Sequence, residues 1–306
     1  MISDFILDGD PGHDDAIALA IAAYRGRVLG VTTVAGNASV AQTTANALSV
    51  VQLLGLDIEV HAGAATPLNG IVGEYASFVH GENGMVGAVM PELTRQVVSN
   101  DAPGFLLDVT QRNPGAWIIA MGPMTNLAAA LQRDPALVDR IAGISLMGGG
   151  TFGNITAAAE FNVHFDPEAA DIVLRCGAPI VQCGLDVARS IRVTDAMIAL
   201  VRGLDSTFGA FCGDLLAGYL ANIRALTSAD TEAALYDVCA VLAVTDPELF
   251  HFSERHVSVE LEGEHTRGMT VVDQRSWMSG GAVKWANTID VAGAQSVMVA
   301  ALTAAP

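Results

Sequence analysis

The opening residues restrict the fold of this chain more than any other stretch. Phe5-Ile6-Leu7 is a short apolar run, Asp8-Gly9-Asp10-Pro11-Gly12-His13-Asp14-Asp15 follows it, and residues 16–23 are alanine-rich and wholly apolar. The first run reads as a buried strand and the last as a helix, with Pro11 and Gly12 making the turn between them. In open α/β sheets the corner at the carboxyl end of such a strand is where ligands bind. Four carboxylates, Asp8, Asp10, Asp14 and Asp15, are expected to crowd that corner. The dipole of the helix favours acids in its first turn, which accounts for one or two of them. Four acids repel one another, and some must protonate unless a cation sits among them. Hard oxygen donors of this kind suit calcium or magnesium, so the corner is read as a metal or sugar site.

The same beat of strand, polar turn and helix runs through the chain. Apolar, β-branched runs predict strands at 28–34, 58–60, 117–121, 144–147 and 180–182. Helical spacing predicts helices at about 40–54, 105–111, 124–131, 208–226 and 294–304, and another beginning at Tyr236. Asp166 reads as an N-cap with Pro167 at the first helical position, opening a helix to about Cys176. Residues 257–261 and 269–272 read as a hairpin. The pattern implies an α/β fold with a mostly parallel central sheet and helices on both faces, open, doubly wound and Rossmann-like, with a small antiparallel hairpin. Polar residues recur at strand ends: Asp10, Asn37, Met121-Gly122 and the stretch 148–154. In a parallel sheet these ends share one rim, where distant residues can form one site. Residues 62–100 are irregular, with glycine at 63, 70, 73, 81, 84 and 87, which reads as a mobile loop or lid.

Composition bounds the function. The 306 residues are 51% hydrophobic and 16% charged, enough for a sizeable core, and the formal charge is -18 with Lys284 as the sole lysine. So acidic a chain argues against nucleic-acid partners and against anionic membranes. Cys176, Cys183, Cys212 and Cys239 have no CxxC or paired spacing and read as reduced, mostly buried thiols of a cytoplasmic protein. No secretory signal is visible, and the uncharged stretch 114–132 is broken by Gly122-Pro123 into strand, turn and helix.

The acidic stretch closely resembles the N-terminal signature of the inosine-uridine-preferring nucleoside hydrolases. Further segments agree in order: Ala35-Gly36-Asn37, His80-Gly81-Glu82-Asn83-Gly84, Met121-Gly122-Pro123-Met124-Thr125-Asn126, Met147-Gly148-Gly149-Gly150, Ala159-Glu160-Phe161-Asn162 and Asp166-Pro167-Glu168-Ala169-Ala170. The ordered set covers essentially the whole chain and implies one nucleoside-hydrolase-like α/β domain over residues 1–306. It further implies Ca²⁺-dependent cleavage of ribonucleosides to ribose and free base, a role in nucleoside catabolism and salvage, and a homodimer or homotetramer.

By position, the resemblance implies that Asp10, Asp15, the backbone carbonyl of Met121 and Asp237 ligate calcium. The 2′- and 3′-hydroxyls of ribose, together with one water, fill the remaining places. Asp10 then takes the proton of that water, and Asn37 supports both. Asp14 and Asn162 hold the 2′-hydroxyl, and Asn154 and Glu160 the 5′-hydroxyl. The residue types agree with the chemistry: departure of the base leaves an oxocarbenium-like ribosyl cation, which nearby carboxylates stabilise.

The chain departs from the family pattern beside Asp237. A histidine, proposed as proton donor to the base, often stands where this chain has Tyr236, and tyrosine with a pKa near 10 is a poorer acid. Tyr236 can still donate a hydrogen bond or stack on the base. His80, in the glycine-rich loop, is a candidate to replace the acid in part. His13 is expected to support a carboxylate, His164 to lie outside the pocket, Phe161 to contact the nucleoside or to pack, and Trp277 and Trp285 to pack. Two other readings stand: a Mg²⁺ phosphohydrolase, because DxD motifs also serve phosphoryl transfer, and a non-catalytic ribonucleoside- or ribose-binding protein.

Overall fold

Strand side chains that alternate between two faces need cover on both. The computed structural model describes residues 3–71, 74–275, 277–278 and 280–306, and it shows such a sheet. Its strands are β1 (Asp4–Gly9), β2 (Arg27–Thr33), β3 (Glu59–Ala62), β4 (Trp117–Ala120), β5 (Gly143–Met147), β6 (Ile180–Cys183), β7 (Arg192–Val193), β8 (Ala233–Ala234), β9 (Phe250–Arg255), β10 (Val257–Val259), β11 (Thr270–Val272) and β12 (Val283–Ile289). Eight of them make one sheet in the order β3-β2-β1-β4-β5-β6-β12-β9. Every pairing in it is parallel except that of β12 with the edge strand β9. The pairs β10-β11 and β7-β8 are small antiparallel ribbons.

The helices are α1 (His13–Arg25), α2 (Val40–Leu53), α3 (Ser77–His80), α4 (Ala102–Arg112), α5 (Thr125–Arg133), α6 (Phe161–Phe165), α7 (Pro167–Leu174), α8 (Leu185–Ala188), α9 (Asp195–Arg202), α10 (Thr207–Leu226), α11 (Val238–Thr245) and α12 (Val291–Ala304). Phe5 and Leu7 of β1 face one core with Ile17 and Ile21 of α1, Val51 of α2, Leu215 of α10, Val241 of α11 and Met298 of α12. Ile6, between them, faces the other with Leu106 of α4, Leu127 of α5 and Val173 of α7. At about 25 cal/mol per Å² of apolar surface, the burial of such side chains is the main source of stability.

Strand order reverses at β1. The chain runs β1, β2, β3 to one edge, then returns to place β4 on the other side of β1. The carboxyl ends of β1 and β4 are therefore the switch point at which doubly wound sheets bind ligands. Asp10 follows β1 there and Met121 follows β4, and the Met121 N–H donates to the Asp8 carbonyl at 2.7 Å.

The expected fold class and hairpin are present. The Asp166 carboxylate accepts the Ala169 N–H at 3.1 Å and caps α7 as expected. The expectations missed β9, β12, α9 and the short ribbon β7-β8. Trp285 is buried, but Trp277 is 76% exposed, a correction to the expectation that it packs. Gly73 of the long loop lies outside the described residues. No described helix is long and apolar enough to cross a membrane, and all four cysteines are free, with Cys176 half-buried and the others buried.

Candidate active site

Above the switch point lies a cavity of about 200 Å³ lined by, among others, Asp10, Asp14, Asn37, His80, Met121, Asn154, Glu160, Phe161, Asn162, Tyr236 and Asp237. These are the residues singled out from the sequence, with one exception. Asp15 does not line this cavity and stands behind its floor beside Gly9, Pro11 and Met121.

Each side chain is positioned by a local device. The Asn37 N–H donates to Asp10 Oδ2 at 2.6 Å, and Asn37 Nδ2 donates to the Asp10 carbonyl at 3.1 Å, so the end of β2 fixes the carboxylate that follows β1. Asp15 Oδ2 accepts the Gly12 N–H at 2.8 Å. Asp14 Oδ2 accepts the Tyr236 N–H at 3.0 Å, tying α1 to the segment before α11. Glu160 caps α6: Oε1 accepts from Asn162 N, and Oε2 from Gly149 N and Val163 N. Asn162 Nδ2 is spent on the carbonyls of Met121 (3.1 Å) and Met147 (3.2 Å), which leaves its Oδ1 as an acceptor. Asn154 Oδ1 accepts the Phe161 N–H at 2.9 Å, which leaves its amide as a donor.

Two expectations are corrected. Asp8 does not join the acidic floor: its Oδ1 accepts from Thr32 Oγ1 and Asn126 Nδ2, away from the cavity. Among the described residues His13 supports no carboxylate. Its Nε2 meets the Val86 carbonyl at 3.0 Å and its Nδ1 meets His80 Nδ1 at 2.9 Å. His164 lies outside the cavity, as expected, beside Phe161 and Arg267. Tyr219, Ile223, Phe78, Val79 and Ile155, which no motif in the sequence marks, also line the wall. Tyr219 falls on the buried stripe of α10 with Leu215, Leu216 and Leu220, so its spacing reads only as core.

Electrostatics set the floor apart. Burial pushes the Asp14 carboxyl up to about 6, and burial with the neighbouring Asp14 charge pushes Asp15 up to about 7. Asp10 and Asp237 lie well above the usual carboxylate range, first through burial and then through the surrounding acids. Burial lifts Glu160 to about 7 despite its backbone donors. Acids so placed share protons unless a cation replaces them.

The residues fit such a cation. Asp14, Asp15 and Asp237 bring carboxylate oxygens within 4.8 Å of one another. Asp15 Oδ1 is buried with no hydrogen-bond partner among the described residues. The converging donors are all hard oxygens, as calcium or magnesium prefers. Asp10 is not one of the three that meet within this distance, although its charge is felt by Asp237.

Opposite the floor, Tyr219 stacks on His13 (4.7 Å) and His80 (5.6 Å), each at 15°. Burial raises the Tyr236 hydroxyl above its ordinary value, with the Arg189 guanidinium pulling the other way, so it stays protonated at neutral pH. An acidic floor of hydrogen-bond acceptors, under an aromatic and aliphatic wall, suits a sugar joined to a ring.

A sequence profile described as inosine-uridine preferring nucleoside hydrolase matches residues 5–296. The chain therefore belongs to the inosine-uridine preferring nucleoside hydrolase family and is a ribonucleoside hydrolase. It is 41% identical over 279 residues to a pyrimidine-specific ribonucleoside hydrolase, RihA, of Shewanella woodyi, covering 90% of this chain and 89% of that one. It is 39% identical over 272 residues to a non-specific ribonucleoside hydrolase, RihC, of Salmonella paratyphi C, covering 88% and 87%. Among solved structures, a purine-preferring ribonucleoside hydrolase from Gardnerella vaginalis superposes with a TM-score of 0.92 at 30% identity over 98% of both chains.

Proposed function

We propose that the cavity holds a ribonucleoside with its ribose on the acidic floor and its base against Phe78, His80, Tyr219, Ile223 and Tyr236, and that water cleaves the N-glycosidic bond there. The observation that carries this reading is the convergence of Asp14, Asp15 and Asp237, with the unpartnered Asp15 Oδ1, at the sheet's switch point. A calcium ion would be held by Asp15 and Asp237, whose oxygens meet with those of Asp14, together with Asp10 and the Met121 carbonyl that the family resemblance adds. When bound, it supplies positive charge that orients vicinal hydroxyls and acidifies water.

The chain's own groups do the rest. Asp10, fixed in rotation by Asn37, accepts a proton from the attacking water. The water oxygen bonds to C1′ while the C1′–N bond breaks, its electron pair going to the base nitrogen. The ring passes through a cationic, oxocarbenium-like state that the surrounding carboxylates favour without having to reorganise. Asp14 and the Asn162 Oδ1 flank the 2′-hydroxyl and share its single hydrogen, and the Asn154 amide and Glu160 hold the 5′-hydroxyl. Tyr236, which keeps its proton, donates a hydrogen bond toward the leaving base, and Phe161 packs against the nucleoside. The reading carries a cytoplasmic homodimer or homotetramer, checked by sedimentation and fractionation.

The test is release of reducing sugar from uridine, cytidine, inosine and their 2′-deoxy analogues, with and without chelator. Removal of a hydroxyl that buried polar groups read should cost on the order of 10⁴-fold in kcat/KM. Chelator should abolish turnover and calcium restore it. Equal rates on ribo- and deoxyribonucleosides, or turnover indifferent to chelation, would defeat this account of the floor.

A further inference from the structure

We infer that His13, which does not line the cavity, is a positioning residue that fixes His80 in the tautomer protonated on Nδ1, so that His80 Nε2 accepts a hydrogen bond from an N–H on the nucleobase edge. The inference deepens the proposed function and rests on the base lying against His80.

A backbone carbonyl only accepts, so the 3.0 Å contact between His13 Nε2 and the Val86 carbonyl places a hydrogen on that nitrogen. His13 is fully buried, and no carboxylate pairs with it among the described residues. A charged ring there would go uncompensated, so His13 is neutral and its Nδ1 is bare. The 2.9 Å contact between the two Nδ1 atoms needs one hydrogen, and only His80 can supply it. In neutral His80 the second nitrogen, Nε2, is then a lone-pair acceptor.

Nε2 is the ring nitrogen left over. A methyl group on Gly12 would lie 3.0 Å from His80 Nδ1 and 3.3 Å from Cε1, so the Nδ1 side of the ring is packed against backbone, and His80 itself lines the cavity. Tyr219 stacks on both rings and holds their planes, while its own hydroxyl is committed to the Ala234 carbonyl at 3.1 Å. His80 Nε2 has no protein partner among the described residues. A nucleobase edge that carries an N–H, such as N3–H of uracil, would complete it. A neutral His80 held this way cannot protonate the leaving nitrogen, so its contribution is to orient the base and select it.

The test begins with the wild-type protein. Long-range ¹⁵N–¹H spectra of histidine-labelled protein at neutral pH, assigned by the signals lost in His80→Gln and His13→Gln, should show His80 with a pyrrole-like Nδ1 and a pyridine-like Nε2. His13 should show the reverse. A protonated Nε2 on His80 overturns the proposal, and the unchanged signals of the other histidines in each variant show that the assignment is read on a wild-type fold. Next, kcat/KM is compared on uridine and 3-methyluridine. His13→Leu, which offers His80 no acceptor, should reduce the preference for uridine by roughly 3–10-fold, the worth of one hydrogen bond. His13→Gln should restore it, since its amide oxygen can accept from His80 and its amide N–H can donate to Val86. An equal fall on both substrates in His13→Leu marks a merely structural role and overturns the proposal. If the wild type frees no base from any ribonucleoside, the proposed function fails, and the nitrogen shifts still decide the tautomer.

Discussion

Asp10 sits where it does because two neighbours lack a side chain. A Cβ on Gly36 would lie 2.1 Å from Asp10 Oδ2, and one on Gly122 would lie 2.5 Å from Oδ1. With both oxygens confined and Asn37 holding one of them, Asp10→Asn, assayed at saturating calcium, should keep the shape of the floor and a neutral oxygen toward the ion while losing the base. We expect kcat to fall 10²–10⁴-fold, the usual worth of a general base, with KM changed little. A drop in kcat of less than about tenfold would remove Asp10 from the proton transfer. The acids on this floor were legible in the sequence because their density has no cheaper explanation. The neighbour of His13 was not. Positions 13, 14 and 15 open a helix and turn by about 100° per residue, so three adjacent side chains leave in three directions. Asp14 reaches Tyr236, Asp15 turns behind the floor, and His13 meets the last residue of α3, 67 positions away. Sequence adjacency to acids suggested a carboxylate partner, and helix geometry decided otherwise.

Among the elements, the loop bearing His80 departs most from what its sequence suggested. Its glycines read as a lid, yet it is tied to the helices beside it. Asn222 Nδ2 on α10 donates to the carbonyls of Phe78 (3.0 Å) and Val79 (2.6 Å), and Asn46 Nδ2 on α2 donates to the Asn83 carbonyl (2.9 Å). Backbone meets backbone where Gly218 of α10 faces Gly87: a Cβ on Gly218 would lie 2.4 Å from Gly87 Cα and 2.3 Å from the Val86 carbonyl. That carbonyl is the acceptor of His13. Gly218→Ala therefore forces the loop off α10 at the point that positions His13. Overpacking of this kind costs about 1–3 kcal/mol. We expect a lower Tm and a raised KM for ribonucleosides, read by calorimetry and initial rates. An unchanged KM would mean that the loop reaches the base without this docking. The helix α10 was legible because burial on one stripe dictates its spacing, and α1 and α2 because their long small or apolar runs are buried on most faces. The strands β9 and β12 were not: β9 is an edge strand with half-exposed residues, and Lys284 interrupts the apolar run of β12.

At the scale of the whole molecule, the switch point gathers buried acids from distant parts of the chain, and folding must place them together. Asp14, Asp15 and Glu160 have carboxyls lifted to about 6, 7 and 7, against about 4 in an unfolded chain. The metal-free folded state therefore binds more protons than the unfolded one between those values. Its stability from these groups is full below about pH 4 and is lost as pH rises through 6 to 7. A cation takes the place of the lost protons, and one present at 100 times its Kd adds about 2.7 kcal/mol. Metal-free protein should thus show Tm falling from about pH 5 to pH 8, and calcium should raise Tm far more at pH 8 than at pH 5. The net charge of -18 also disfavours the compact state as acids ionise, but that repulsion is screened by simple salt over a Debye length of about 8 Å. Runs at fixed ionic strength, with potassium replacing calcium, separate the two effects. Asp237→Asn makes the distinction sharper. It removes one charge from the crowded floor, so metal-free Tm at pH 8 should rise while the response to calcium is lost. If that variant instead lowers Tm at pH 8 and still responds to calcium, the ion is binding the acidic surface, and the buried cluster is held together by protons alone.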